Sequence, residues 1–294
     1  MKFNKIKKVV FPVGGLGTRF LPATKSIPKE MLPVVNKPLI QYAFEEARLA
    51  GIEQFIFITG RNKNAIENHF DHSYELQNIL SEQDKKTELK LTRDWVPDAG
   101  KIVFIRQQGA LGLGHAILCA KNVIGNEPFA IILADEMLQC EQGFLSQMQQ
   151  QYVQHGHNII AVAAVERAKT KSYGIVKIGQ KIGKMIEIKG MIEKPEPDLA
   201  PSNFSITGRY ILQPEIFKYL KQGKPGRDGE IQLTDAMYNM LLGDSTFMAL
   251  PFDGPRFDCG NQVGFLAANI AYALADKSIN SQVKAVLKSY CKDL

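Results

Sequence analysis

Residues able to handle a polyphosphate gather early in this chain. Gly14, Gly15, Gly17, Thr18, Arg19 and Lys29 are interleaved with Pro22 and Pro28. Glycines let a backbone turn its N–H groups toward an anion with no Cβ in the way. Thr18 adds a hydroxyl donor, and Arg19 a two-pronged guanidinium that matches phosphate oxygens. Lys25 and Lys29 bring further positive charge, and the prolines stiffen the loop that carries them. An ordinary glycine turn with surface lysines is the competing reading of any two of these residues; the full set favours phosphate. Two familiar loops are excluded. Position 20 is Phe20 rather than a third glycine of the dinucleotide pattern, and Gly17-Thr18-Arg19 stands where a Walker loop needs Gly-Lys-Ser or Gly-Lys-Thr.

Further along, Arg106-Gln-Gln-Gly-Ala-Leu-Gly-Leu-Gly-His-Ala116 is a second glycine-rich turn. Gln107 carries an amide donor and acceptor that can pair with a pyrimidine edge, and Gly112 and Gly114 let a flat base lie close to backbone. A plain helix-entry loop explains the same residues, and taken alone the stretch leaves both readings open. Asp135 closes the apolar run Phe129-Ala-Ile-Ile-Leu-Ala. An acid at the carboxyl end of a strand can hold Mg²⁺, which takes oxygen ligands and keeps phosphates as partners, or it can cap the turn. Glu136 is expected to point elsewhere. His155 and His157 flank Gly156 with no cysteine or acid cluster nearby, which reads as a turn rather than a metal pair.

These residues need a scaffold that brings strand ends together. Val9, Val10 and Phe11 read as a buried strand running into the first loop, and Pro38 to Ala50 as a helix with Gly51 after it. Gln54 to Thr59 reads as a strand and Asn64 to Phe70 as a short helix, so the chain opens as β-loop-α-β-α with parallel strands. A helix near Tyr74 to Ser81 precedes a polar surface excursion to residue 100. Strands come next at Ile102 to Ile105, Phe129 to Asp135, Asn158 to Val165, Phe204 to Leu212 and Phe247 to Pro251. Tyr173 to Val176 and Met191 to Pro195 also follow Val165, and Met185 to Met191 alternates weakly, which leaves its strand pairing open. Lys224-Pro225-Gly226 reads as a turn before a helix opened by Glu230 to Asp235. Helices at Gln262 to Ala275 and Ser278 to Tyr290 end the chain. No repeat or linker interrupts residues 1–294, which predicts a single domain with a C-terminal helical segment from about 262.

Composition sets the class. With 294 residues, 45% hydrophobic and 22% charged, the chain has ample core-forming material and ordinary globular usage. The formal net charge of +6 suits anionic ligands but lacks the long basic block of a nucleic-acid binder. Cys119, Cys140, Cys259 and Cys291 are scattered with no CxxC pair, which argues against a zinc site or disulfide scaffold. The start is basic like a signal peptide's, but the apolar stretch after it breaks at Pro12 and Gly14 with no small-residue cleavage site, and no apolar stretch is long enough to span a bilayer. A soluble cytoplasmic protein is expected, without membrane or nucleic-acid partners.

Longer strings carry a resemblance. Pro12-Val-Gly-Gly-Leu-Gly-Thr-Arg-Phe-Leu-Pro-Ala-Thr-Lys25, Pro28-Lys-Glu-Met-Leu-Pro33, Gly112-Leu-Gly-His-Ala116, Ile192-Glu-Lys-Pro195, Glu230-Ile-Gln-Leu-Thr-Asp-Ala236 and Phe257-Asp-Cys-Gly-Asn261 resemble the bacterial UTP–glucose-1-phosphate uridylyltransferases, or UDP-glucose pyrophosphorylases. The likeness runs from about Lys7 to the helix after Asn261. It implies an α/β, Rossmann-like nucleotidyltransferase fold with a mixed central sheet flanked by helices. It also implies transfer of uridylyl from UTP to glucose 1-phosphate, with pyrophosphate released and Mg²⁺ as cofactor. By matching motif, Gly14, Gly15, Gly17, Thr18 and Arg19 hold the nucleotide phosphates, Lys29 reaches them, and Gln107 and Gly112 face the uracil. Gly174, Glu193 and Lys194 hold glucose 1-phosphate, Arg19, Lys29 and Lys194 serve catalysis, and Asp135 with Asp258 shares the metal. A homo-oligomer, dimer or tetramer, is also implied.

This chain departs from the pattern at three places. Gly14 stands where Ala is expected, Ala134 where Pro is expected, and Leu111 where Lys is one expectation. Two other functions stay open beside the main one: a nucleotidyltransferase preferring dTTP or another sugar 1-phosphate, and a poorly active regulatory paralogue. The intact Thr18, Arg19, Gly174 and Glu230 favour the active enzyme. No Ser/His/Asp or Cys/His nucleophilic set is present, as expected of a phosphate attacking directly.

Overall fold

In a computed structural model, residues 2–223 and 229–291 are described; the turn expected at Lys224-Pro225-Gly226 lies outside them. Nine strands make the main sheet: β1 (Lys8–Pro12), β2 (Gln54–Thr59), β3 (Ile102–Arg106), β4 (Phe129–Ile132), β5 (Asn158–Ala164), β6 (Gly174–Ile182), β7 (Met185–Glu193), β8 (Phe204–Leu212) and β9 (Phe247–Pro251). Their spatial order is β3-β2-β1-β4-β8-β5-β9-β7-β6. β3, β2, β1 and β4 run parallel. β8 is antiparallel to both β4 and β5. The sheet is therefore mixed, as the resemblance implies.

Strands β1, β2 and β4 of the parallel half read as apolar runs because helices cover both of their faces. On one face Leu39–Leu49 and Phe144–His155 bury Phe44, Leu145 and Met148 against Phe11, Phe57 and Ile132. On the other, Leu113–Cys119, Ile216–Gln222 and Leu233–Leu242 pack Ile117, Phe217 and Met237 on Val10, Ile58 and Ile131. Parallel neighbours share a carboxyl edge, so the loops after β1, β3 and β4 open side by side. Ser205 at the start of β8 pairs with Ile175, which brings Gly174 and its register partner Glu193 to the same edge. A two-stranded ribbon, Glu136–Leu138 against Arg256–Asp258, sets Asp258 directly opposite Glu136.

Several expectations need correction. β4 ends at Ile132, and Leu133–Asp135 is a turn closed by Glu136 N–H donating to Leu133 O at 3.3 Å. The helix expected from Glu230 starts at Leu233. Residues 230–232 stay extended because Ile231 N–H donates to Leu111 O and Ile231 O accepts from Gly114 N–H, both at 2.8 Å. The polar excursion contains a helix, Lys86–Arg93, with no buried residue. Phe144–His155 and Ile216–Gln222 are helices with no counterpart among the elements expected from sequence. Met185 to Met191 belongs to a strand that runs to Glu193, with register shifts that account for its weak alternation.

Candidate active site

The loop after β1 folds back on itself through Gly17. Its φ of +67° is the left-handed region that glycine enters freely. A Cβ there would lie 3.1 Å from Lys29 Cβ and 3.3 Å from Thr24 Cγ2. Thr24 Oγ1 donates to Gly17 O at 2.7 Å and locks the turn. Gly14, Gly15, Gly17, Thr18 and Lys29 then line one cleft of about 440 Å³, together with Gln107, Gly112, Asp135 and Glu230. Phosphate-loop and base-loop candidates are thus brought together with one metal candidate, Asp135, whereas Arg19 and Asp258 do not line this cleft.

Gln107 comes directly after β3. Its Nε2 donates to Gly112 O at 3.2 Å and lies 3.0 Å from His115 Nδ1, which fixes the amide orientation. Gly112 has φ +90°, and a Cβ on it would meet Glu230 Cβ at 2.7 Å and Ile231 O at 2.9 Å. The segment before helix Leu233–Leu242 therefore forms one wall of the base loop, a partnership 119 residues long that local patterning cannot reveal (231 − 112). A Cβ at Gly14 would stand 3.1 Å from Gln107 Oε1, so glycine leaves that amide a few tenths of an ångström more room than alanine.

Around Gly260 the acidic groups converge. A Cβ built there would lie 2.9 Å from Asp258 Oδ1, 3.3 Å from Asp135 Oδ2 and 3.6 Å from Arg19 Nη1. Gly260 N–H donates to Asp258 Oδ1 at 2.9 Å, and Tyr173 Oη donates to Asp258 Oδ2 at 3.2 Å. Burial, then the Asp258 charge, pushes the Tyr173 hydroxyl up to about 12, so it remains a donor. The Arg256 guanidinium lies 4.5 Å over the Tyr173 ring and forms a two-pronged pair with Glu136 at 3.0 and 3.1 Å. Glu136 is thus engaged by Arg256, within reach of the Asp258 and Asp135 charges. Burial pushes its carboxyl up to about 7 against the pull of Arg256.

Lys29 Nζ lies 2.5 Å from Asp135 Oδ2. Burial alone would raise the Asp135 carboxyl, but the charge and hydrogen bond of Lys29 outweigh it and hold the acid below its ordinary range. Behind Lys29, the neighbouring Glu30 makes a buried pair with Lys63 at 2.8 Å. Asp135 in the phosphate cleft, with Asp258 close by across Gly260, is a donor set that suits Mg²⁺, with nucleotide oxygens completing its shell. That a lysine ammonium settles on Asp135 marks the spot as one that draws a cation. The residues present fit the metal. Cys259, between these groups in sequence, is buried with its thiol pushed up to about 12, chiefly by burial, and offers no nucleophile.

The sugar-side candidates form a neighbouring cluster. Glu193 Oε2 accepts from Thr234 Oγ1 at 2.7 Å, and a Cβ on Gly174 would press on both, at 3.1 Å each. Lys194 has φ +47°, uncommon for a residue with a side chain, and its N–H donates to Tyr173 O at 3.0 Å. Its exposed ammonium lies 3.6 Å from Glu193 Oε1. Thr234 and Gly260 lie within the strings that carry the resemblance, but their contacts to Glu193 and Asp258, and that of Tyr173 to Asp258, are visible only in the fold.

A family model described as nucleotidyl transferase matches residues 8–274. A UTP–glucose-1-phosphate uridylyltransferase of Staphylococcus haemolyticus is 46% identical over 285 residues, covering 97% of this chain and 98% of the relative. The chain belongs to the nucleotidyl transferase family, among the UTP–glucose-1-phosphate uridylyltransferases. Solved structures of that family superpose closely. A UTP-bound enzyme from Acinetobacter baumannii matches with TM-score 0.88 at 41% identity, over 96% of this chain and 98% of that one. A UDP-glucose pyrophosphorylase complexed with UDP-glucose matches with TM-score 0.84 at 43% identity, over 92% of this chain and 100% of that one.

Proposed function

We propose that this uridylyltransferase-family chain joins UTP to glucose 1-phosphate, giving UDP-glucose and pyrophosphate. The carrying observation is the meeting, at one sheet edge, of the glycine-arginine loop, the Asp135–Asp258 pair and the Glu193–Lys194 cluster. Glucose 1-phosphate is largely dianionic at neutral pH, since a phosphate monoester's second pKa is about 6. Its oxygen attacks the α-phosphorus in line without a general base, and the bond to the leaving pyrophosphate breaks. Positioning and charge neutralisation then supply the catalysis.

Each residue has a task in that step. Gln107 and Gly112 seat the uracil, while Gly14, Gly15, Gly17 and Thr18 cradle the phosphates. Glu193, oriented by Thr234, takes sugar hydroxyls, and Lys194 holds the sugar phosphate. Arg19 and Lys29 stabilise charge on the departing pyrophosphate. Asp135 and Asp258 hold Mg²⁺, which when bound neutralises and orients the α-phosphate.

Among the described residues no helix is long and apolar enough to cross a membrane. The apolar helix Gln262–Ala275 leaves Val263 78% and Leu266 60% exposed. That surface supports self-association with a second copy. Pyrophosphate release tests the reaction: it should require UTP, glucose 1-phosphate and Mg²⁺ together, run slower with dTTP and stop with EDTA. Nucleotide binding without release would favour a regulatory paralogue, and equal turnover of dTTP would overturn the preference for UTP.

A further inference from the structure

Asp135 rides on a short turn, and the packing beside that turn is sparse. Ala134 presents only a methyl group, and a cavity of about 140 Å³ lies next to it, lined also by Arg209, Glu46, Tyr42, Cys140 and Tyr272. What spans the gap is one guanidinium. Arg209 Nη1 donates to Leu133 O at 3.3 Å and to Glu136 O, the carbonyls on either side of the Ala134–Asp135 pair. Its Nη2 and Nε engage Glu46 Oε2 at 2.8 and 3.3 Å, and Glu46 Oε1 also accepts from Leu145 N–H at 3.0 Å. Arg209 is 3% exposed at the side chain and Glu46 10%.

Strand β8 is shaped for this contact. Its register with β5 shifts between Ile206 and Tyr210, and bulges of that kind re-aim side chains beside active sites. Within the bulge Gly208 has φ +70°, and its carbonyl accepts from Leu133 N–H at 2.8 Å. A Cβ on Gly208 would collide with Leu133 Cβ at 2.9 Å. The turn that carries Asp135 thus lies directly on the bulge, with Arg209 closing over it.

We infer that Arg209, held by Glu46, is a positioning residue that aims the Asp135 carboxylate at the metal. A buried ion pair is costly to maintain for stability alone, because desolvation offsets much of its attraction. Here every nitrogen of the guanidinium and both oxygens of Glu46 have a partner, and one arm of the pair is committed to the backbone around the proposed metal acid. Such outer partners commonly change metal affinity about 10- to 100-fold when altered.

The inference rests on Asp135 being a metal ligand, so that assignment is tested in parallel. Mn²⁺ binding is followed by paramagnetic resonance in the parent, Arg209→Lys, Glu46→Gln and Asp135→Asn, with melting temperature and the half-saturating Mg²⁺ for turnover measured on each. Lysine keeps the charge but cannot span both carbonyls, and glutamine keeps the shape of Glu46 without its charge. Both variants should bind Mn²⁺ about tenfold or more weakly. Their half-saturating Mg²⁺ should rise equally, while KM for UTP at saturating Mg²⁺ stays near the parent's. Lower melting temperatures with unchanged Mn²⁺ binding would reduce Arg209 to a purely structural role and overturn the inference. Unchanged Mn²⁺ binding in Asp135→Asn would remove the metal assignment and the inference with it; weakened binding there but not in the other two would remove the inference alone.

Discussion

The Lys29 ammonium lies 2.5 Å from Asp135 Oδ2, at the acid assigned to the metal. Under the proposed assignment the same carboxylate serves Lys29 as seen here and the metal during turnover, when the lysine turns toward phosphate. Lys29→Met should therefore separate two effects. Turnover should fall by about 10²–10³ through lost stabilisation of the leaving group, while the nucleotide-free protein should bind Mn²⁺ more tightly. Equal or weaker Mn²⁺ binding in that variant would show that lysine and metal do not compete.

Lys63 and Glu30 are nearly closed to solvent, at 6% and 2% side-chain exposure. Burial pushes the Glu30 carboxyl up, although Lys63 and Lys29 pull it down. Removing only Lys63, as in Lys63→Met, leaves a buried acid unpaired, and a loss of about 3–5 kcal/mol is expected in urea unfolding. Adding Glu30→Gln to it should recover a large part of that loss. A double variant as unstable as the single one would contradict the pairing.

Gly260→Ala should leave the fold intact and depress turnover. The new methyl would sit 2.9 Å from Asp258 Oδ1, an oxygen already held by Gly260 N–H on a carboxylate fixed by Tyr173. The acid has to swing away from Asp135. Steady-state kinetics should show kcat falling at least about tenfold, the scale of a metal site whose supporting geometry is disturbed. Unaltered kcat would place Asp258 outside the metal site.

His69 predicts an acid sensitivity. It packs on Trp95 at 4.6 Å between ring centres and lies 3.1 Å from Gln41 Oε1. Burial lowers its pKa to about 4 from an ordinary 6.5. Well above pH 6.5 the ring is neutral whether the chain is folded or not, so it contributes no pH dependence there. As the pH falls from 6.5 toward 4, only the unfolded chain takes up the proton, and stability drops. At pH 5 the full shift corresponds to about 2 kcal/mol, and solvent at the half-buried ring screens it to roughly 1. His69→Gln should show a correspondingly smaller fall in urea midpoint between pH 7.5 and 5.0; an identical fall in both proteins would assign the sensitivity elsewhere.

Much of this site is legible in sequence because its members sit at strand ends. β1 and β4 announce themselves as short apolar runs, and the residues just beyond them, Gly14 and Asp135, lie at the sheet's carboxyl edge by the rule for parallel strands. The supporting residues are legible only in three dimensions. Arg209 and Glu46 are 163 positions apart and become neighbours only when β8 inserts beside β4. Helix Phe144–His155 is hidden because its glutamine-rich sequence masks a face formed by Phe144, Leu145, Met148 and Tyr152. Lys86–Arg93 buries nothing, and Leu89 and Leu91 are too few apolar residues to stand out in so polar a run. At Glu230 the local helix signal loses to a backbone pairing between Ile231 and the base loop.

The most direct test of metal-assisted transfer is UDP-glucose formation from UTP and glucose 1-phosphate at saturating Mg²⁺, with the parent and Asp135→Asn side by side. The parent should form UDP-glucose and pyrophosphate in equal amounts and stop on addition of EDTA. The variant should stay folded, by melting temperature, and lose at least about a hundredfold in rate. A folded variant that turns over at the parental rate would contradict metal-assisted transfer at Asp135 and with it the proposed mechanism.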